Sequence, residues 1–165
     1  MRFVVTVAQI VALAALTAGC GREIGDACVV SSDCDPNGGR QCDVIDKEGY
    51  CTIQGCSYAT CPSEAACVRF FTGDFANRLC DPATENTSSD ACSLDELCAL
   101  DGHCVARSSE LRFCMRTCSS DGDCRDGYEC RNLAKMKSHG GEPVLAPGLL
   151  VDASSANFCA PAPGK

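Results

Sequence analysis

Seventeen cysteines in a chain of 165 residues are the side chains whose type and spacing could carry chemistry. Zinc is usually held by cysteines at a close spacing such as Cys-x2-Cys, which lets two sulfurs reach one tetrahedral ion. The shortest step here is Cys114-x3-Cys118, which stands alone, and His103 and His139 have no partner at ligand spacing. No Cys-x-x-Cys redox motif is present either. We therefore expect no metal, no other cofactor and no catalytic cysteine, but disulfides.

The composition favours a small disulfide-rich fold with little regular structure. Cysteine exceeds a tenth of the chain, the level that marks a disulfide scaffold in an exported protein. Large apolar residues are sparse and tryptophan is absent, so a single large core is not expected. The cysteines expected to form disulfides are Cys28, Cys34, Cys42, Cys51, Cys56, Cys61, Cys67, Cys80, Cys92, Cys98, Cys104, Cys114, Cys118, Cys124, Cys130 and Cys159.

These cysteines recur in sets of four, in which two short steps precede a longer one. Taken in order, the sets end at Cys51, Cys80, Cys114 and Cys159, and a large apolar residue precedes each of these. Such self-similarity indicates tandem units. The polar segment 81–91 reads as a linker with eight cysteines on either side. We predict two tandem eight-cysteine modules, 28–80 and 92–159, each of two units, and a tail at 160–165.

Four cysteines allow three pairings, and the sequence alone cannot choose between them. We predict first-to-third and second-to-fourth pairing within each unit, because longer closed loops remove more entropy from the unfolded chain.

Regular structure is predicted to be short. Three hairpins are expected, and two single helical turns. The hairpins pair 42–45 with 50–53, 67–71 with 78–80 around Gly73, and 104–107 with 111–115. The helical turns lie at 62–66 and 93–100, where Ser93 and Glu96 have the capping-box spacing.

The N-terminus has the pattern of an export signal. Arg2 precedes an apolar run, and Leu16-Thr17-Ala18-Gly19-Cys20 resembles a bacterial lipobox. We expect 1–19 to be a lipoprotein signal peptide, Cys20 to carry acyl chains and 20–27 to be a short tether. Losing Cys20 to lipid also leaves an even number of cysteines. The alternatives are an ordinary signal peptide, giving a secreted protein, and an uncleaved anchor.

The whole repeat pattern resembles the cysteine-rich lipoproteins of myxobacterial type, a resemblance that implies no established activity. Residues 118–131 also look faintly like the Dickkopf-type pattern, in which a Cys…Asp-Cys…Gly…Cys run precedes a hairpin. Gly21 stands where a retention signal of the inner membrane would have aspartate, which favours the outer membrane. The formal net charge of −8 argues against nucleic acid as a partner.

The 131–158 segment breaks the repeat because it is much longer than the corresponding loops. It begins basic and ends apolar, and we expect it to project from the scaffold. One interpretation is an inert insertion. The other is a binding loop whose anchors are Val144, Leu145, Leu149, Leu150 and Val151, since exposed apolar clusters mark contacts.

Other chemistry is weakly indicated. Asp121, Asp123 and Asp126 could hold calcium, but they lack the ordered ligands of an EF-hand and read better as a solvated turn. No Gly-x-Ser-x-Gly elbow is present.

We expect a non-enzymatic, lipid-anchored envelope protein with structural or protein-binding modules. Its expected partners are the membrane, through its acyl chains, and an envelope or extracellular protein. The alternative is an inhibitor or ligand that presents 131–158.

Overall fold

A computed structural model describes residues 21–45, 48–72, 78–85 and 91–164. The predicted signal peptide and Cys20 therefore lie outside the described residues, as do Gly73 and part of the predicted linker at 81–91. The strands are β1 Gln41–Asp43, β2 Tyr50–Thr52, β3 Ala65–Phe71, β4 Glu96–Cys98, β5 Cys104–Ala106, β6 Glu110–Arg116, β7 Tyr128–Arg131, β8 Glu142–Pro143 and β9 Phe158–Pro161. The α-helices are α1 Ser31–Cys34 and α2 Leu133–His139.

The predicted small disulfide-rich fold is confirmed. All cysteines from Cys28 onward are in disulfides, and the regular structure of the described residues consists of short strands, short helices and turns. The pairs are Cys28–Cys42, Cys34–Cys51, Cys56–Cys67, Cys61–Cys114, Cys80–Cys98, Cys92–Cys104, Cys118–Cys130 and Cys124–Cys159.

Four units share one design, in which the first cysteine pairs with the third and the second with the fourth. In each unit the third and fourth cysteines are opposite one another on two antiparallel strands. These cross-strand positions are Cys42 and Cys51, Cys67 and Cys114, Cys98 and Cys104, and Cys130 and Cys159. The two disulfides of a unit thus fix the loop before each hairpin to both of its strands.

The grouping of the middle units differs from the prediction. The predicted pairs Cys61–Cys80 and Cys98–Cys114 are wrong, because Cys61 pairs with Cys114 and Cys80 with Cys98. The third unit therefore comprises Cys80, Cys92, Cys98 and Cys104, and it is inserted between the third and fourth cysteines of the second unit. These two disulfides cross the predicted linker, so the halves of the chain are joined covalently and do not stand as independent modules.

Strand pairing follows the same nesting. The first predicted hairpin forms as β1 and β2. The other two are wrong in their partners: β3 pairs with β6 over seven residues, and β5 pairs with β4. Both long strands are rich in apolar and aromatic residues, and their mutual pairing buries more surface than either could bury against a three-residue partner. β8 adds to the free edge of β3.

The predicted helical turns are β-turns. Ala65 N donates to Pro62 O, and Glu96 N donates to Ser93 O, after which β3 and β4 begin. Ser93 N also donates to a Glu96 carboxylate oxygen at 2.8 Å, as the capping-box spacing suggests.

Asp33 and Asp123 occupy equivalent places before the second cysteine of the first and fourth units. The Asp33 carboxylate accepts hydrogen bonds from Val29 N and Val30 N, at 2.8 and 3.1 Å. Asp123 does the same with the first two amides after Cys118, both at 2.8 Å. In both cases these backbone hydrogen bonds lower the pKa of the carboxyl group below its ordinary value.

The main core lies between the β3–β6–β8 sheet, the β7–β9 hairpin and β2. Its largest fully buried side chains include Phe158, Ile24, Met136 and Val68. Phe70 contacts Phe158 edge-on, with 6.1 Å between ring centroids. The first and fourth units meet where the rings of Tyr50 and Tyr128 stack at 5.4 Å.

The 131–158 segment is part of this fold and does not project from it. Helix α2 places Met136 in the core with 1 % of its surface exposed, and β8 extends the sheet. Asn132 caps α2, since its side chain accepts a hydrogen bond from Lys135 N. The Arg131 guanidinium donates to the carbonyl oxygens of His139 and Gly140 at the other end of the helix, both at 2.8 Å.

The segment predicted to be a tether also packs on the fold. Ile24 is completely buried, Gly25 N donates to Cys51 O, and Glu23 forms an ion pair with Arg116. Only the residues before Ile24 could span a distance to a membrane. Within the described residues, no helix has both the length and the apolar character needed to cross a bilayer.

Candidate binding groove

An open groove of about 520 Å³ lies between the third unit and the chain that follows β8. One wall is formed by the 93–96 turn and β4, which the Cys80–Cys98 and Cys92–Cys104 disulfides hold in place. The other wall is residues 143–151. Disulfides hold the first wall, and the pairing of β8 with β3 holds the start of the second.

The second wall is tied to the sheet at its start and turned back on itself further on. Val144 N donates to Cys67 O at 2.8 Å, which continues the pairing of β8 with β3. Leu149 N then donates to Ala146 O at 3.1 Å, which closes a turn. This turn carries the most exposed apolar side chains of the wall.

All five apolar residues predicted as binding anchors line this groove: Val144, Leu145, Leu149, Leu150 and Val151. They do not share one environment. Val144 and Val151 pack against the main core, whereas Leu149 and Leu150 are 64 % and 53 % exposed. The two valines therefore fix the wall, and the two leucines are available for contact.

The opposite wall supplies leucines that the sequence analysis missed. Leu94 is fully exposed on the 93–96 turn, Leu97 is buried beneath it, and Leu100 packs against the main core. Their spacing of three residues was a visible signal. The sequence gives no sign, however, that these leucines lie opposite 144–151.

An ion pair lies at the base of the groove. Arg69 and Glu142 are opposite each other on β3 and β8, and Arg69 Nε is 2.9 Å from a Glu142 carboxylate oxygen. Burial raises the pKa of Glu142 above its ordinary value, and the Arg69 guanidinium only partly offsets this. Arg107 and Lys137 also line the groove. The acidic residues Asp81, Glu85 and Glu96 line it as well, so an occupant with apolar side chains and charged groups of both signs would be complementary.

A second polar cluster joins β7 to α2. Glu129 is buried, and its carboxylate is 2.6 Å from His139 Nδ1 and 3.2 Å from Arg131 Nε. Burial acts to raise the pKa of Glu129, but the His139 hydrogen bond and the charges of His139 and Arg131 outweigh it and lower the pKa. Arg131 is itself buried, and its other guanidinium N–H groups donate to backbone carbonyl oxygens. The cluster fixes α2 to the hairpin.

Two of the three acidic residues considered as calcium ligands, Asp121 and Asp123, bind the protein's own groups. Asp121 accepts hydrogen bonds from Cys130 N and Lys135 Nζ, both at 2.8 Å, and Asp123 binds backbone amides as described above. Sulfurs that lie close together, as at Cys56, Cys61 and Cys114, belong to disulfides and offer no thiolate.

Comparison with known proteins gives no relative from which a function could be transferred: no family model, curated protein or solved structure matches the chain.

Proposed function

We propose that this chain is a non-enzymatic, lipid-anchored protein of the bacterial cell envelope that binds another protein through the groove. The observation that carries the proposal is the position of Leu149 and Leu150. Both side chains are more than half exposed, opposite the fully exposed Leu94 and across a rigid groove. Exposed apolar clusters of this kind are costly in water and usually mark contact sites.

The groove is suited to a peptide segment of a protein. It is open to solvent, it presents leucines on both walls, and charged side chains of both signs surround them. Interfaces of this kind combine an apolar centre with a polar rim. A segment with two or three apolar side chains would cover the leucines, and Arg107 or Lys137 would bind an acidic residue beside them.

The anchor is supported by cysteine pairing. The eight disulfides use every cysteine from Cys28 to Cys159, so that of the seventeen only Cys20 has no role in the disulfide scaffold. A thiol at the end of a lipobox is available for a thioether-linked acyl group. Two or more acyl chains hold a protein on a membrane stably, where one chain does not.

The groove is tested with three forms of the purified, oxidised protein as baits on detergent-solubilised envelope. They are wild type, a double Leu149→Glu and Leu150→Glu variant, and a Leu79→Glu control. Leu79 is 72 % exposed and does not line the groove. We expect a protein that is retained by wild type and control but lost with the double variant. Equal retention by all three forms would show that the groove is not the binding site.

The anchor is tested by feeding labelled fatty acid to cells that express wild type or Cys20→Ser. We expect label in the wild-type protein only, and we expect the variant to move to a soluble fraction. Unlabelled wild-type protein would show that the N-terminus is an ordinary signal or another kind of anchor.

An inhibitor remains the second candidate, because the 146–149 turn is an exposed loop fixed to the scaffold by Val144 and Val151. Protease inhibitors present such a loop in a rigid conformation, which reduces the entropy lost on binding. The retained partner would then be one protease whose activity falls when wild type, but not the double variant, is added. In that case the protein is better described as an inhibitor.

A further inference from the structure

The first unit exposes two pairs of adjacent apolar side chains. Val29 and Val30 are 79 % and 52 % exposed, and Val44 and Ile45 are 67 % and 90 % exposed. None of the four lines the groove. A function at the groove therefore does not explain them.

The two pairs lie at the same end of the unit. Cys28 is tied to the β1–β2 hairpin by its disulfide to Cys42 and by a hydrogen bond from its amide to Glu48 O. Ser31 Oγ accepts a hydrogen bond from Cys42 N. Val29 and Val30 thus lie between Cys28 and Ser31, which both contact the hairpin at Cys42. Val44 and Ile45 follow β1, the strand that carries Cys42.

The polypeptide enters the fold at the C-terminal end of α1, one short helix away from Val30. A Cβ placed on Gly21 would lie 3.0 Å from the carbonyl oxygen of Cys34, the last residue of α1. Val30 immediately precedes α1, and a four-residue helix is only about 6 Å long. Since Ile24 is fixed in the core, Cys20 lies at most about 14 Å away from it along the chain. A lipid on Cys20 would therefore hold the first unit against the bilayer.

The backbone at this end is prepared for a less aqueous environment. Val29 N and Val30 N both donate to the Asp33 carboxylate, so neither amide depends on water for a partner. Unpaired amides are costly wherever water is scarce, which includes the boundary between headgroups and acyl chains. Apolar side chains on this segment can therefore enter that boundary without leaving these two amides unpaired.

We propose that Val29, Val30, Val44 and Ile45 form a membrane-contact face that seats the first unit in the bilayer interface. The proposal rests on the lipid anchor proposed above and names the surface that the anchor brings to the membrane. The partner is the apolar boundary of the bilayer and not its charge, because the chain is acidic, with a formal net charge of −8. None of the four residues lines the groove, so the face and the groove can be occupied independently.

The absence of tryptophan from the chain makes the test direct, since one introduced tryptophan reports on one place. Lipidated Ile45→Trp and Leu94→Trp variants are reconstituted on phosphatidylcholine vesicles with and without bromine on the acyl chains. Leu94 is the control because it is fully exposed and belongs to the third unit. Flotation with the vesicles measures anchoring, and the emission wavelength and its quenching measure contact with the membrane.

We expect both variants to float, and only the Ile45→Trp emission to shift to shorter wavelength and to lose intensity with brominated lipid. Flotation with water-like, unquenched emission from both variants would overturn the contact face and leave the anchor standing. Failure to float would overturn the anchor and the contact face with it. A Val29→Trp variant is measured in parallel, and it must behave as Ile45→Trp does if both pairs belong to one face.

Discussion

Met136→Ala is the substitution that best tests whether 131–158 is an integral part of the fold. Met136 is 1 % exposed and packs in the main core beside residues of the sheet and of β9. Truncating a fully buried methionine to alanine removes apolar contacts and leaves a cavity, which typically costs about 2–5 kcal/mol. The surrounding disulfides limit how far the core can collapse into that cavity, so we expect a loss of about 3 kcal/mol or more.

The matched control is Lys137→Ala, one residue along the same helix and exposed. Alanine favours helix at least as well as lysine, so the control should change stability by less than about 0.5 kcal/mol. Guanidinium unfolding of the oxidised proteins, followed by circular dichroism, measures both changes. If Met136→Ala unfolds at the same denaturant concentration as Lys137→Ala, the segment is a dispensable insertion after all, as one interpretation of the sequence holds.

Three further predictions concern the disulfides and two carboxylates. Peptide mapping of the unreduced protein should link Cys61 to Cys114 and Cys80 to Cys98; a Cys61–Cys80 link would restore the separate modules. Because burial raises the folded-state pKa of Glu142, its folded state binds a proton more readily, so wild type should lose stability relative to Glu142→Gln as pH rises above about 4.5. A constant difference between pH 4 and 7 would contradict that assignment. The pKa of Asp123 is shifted in the opposite direction, so the ionised carboxylate stabilises the fold above about pH 3.8, and this contribution is lost as pH falls. Asp123→Ala should therefore destabilise the protein at neutral pH but not in strong acid.

Cysteine spacing predicted the pairing rule but not the membership of the units. First-to-third and second-to-fourth pairing holds in all four units, because the third and fourth cysteines are opposite one another on a hairpin. Nesting could not be read from spacing, since the step from Cys104 to Cys114 resembles the long last step of a unit. What decides it is the pairing of β3 with β6, a contact between segments that are far apart in sequence.

The five apolar residues predicted as anchors do lie together along one groove, and five such residues in a polar chain are conspicuous in the sequence. The sequence did not predict that two of them pack against the main core. Met136 stands between two lysines in a basic stretch, and the sequence gives no sign that Arg131 binds the far end of the helix that follows it. Such polar contacts between the two ends of α2 hold the helix in place, so that the 131–158 segment packs on the fold and does not project from it.

Nesting leads to a last prediction, that the third unit can be removed without unfolding the rest. The chain leaves β3 and returns to β6 at adjacent points, since Thr72 N donates to Ser109 O at 3.1 Å. Two strands that end in such a pair can be joined by a two-residue Asn-Gly turn, whose twist matches that of the hairpin.

Replacing residues 73–108 with Asn-Gly should therefore give an exported protein with six disulfides, among them Cys61–Cys114. Some stability will be lost, because Phe71 packs against Leu97, Ala99 and Val105 of the third unit, and Leu100 packs against the main core. The groove loses one wall, so a partner retained by wild type should no longer bind, while Ile45→Trp in the shortened, lipidated protein should still be quenched by brominated lipid. Scrambled or reduced cysteines in the shortened protein would show that the third unit is needed to form the β3–β6 hairpin, and that the nested unit is a folding element and not an insertion.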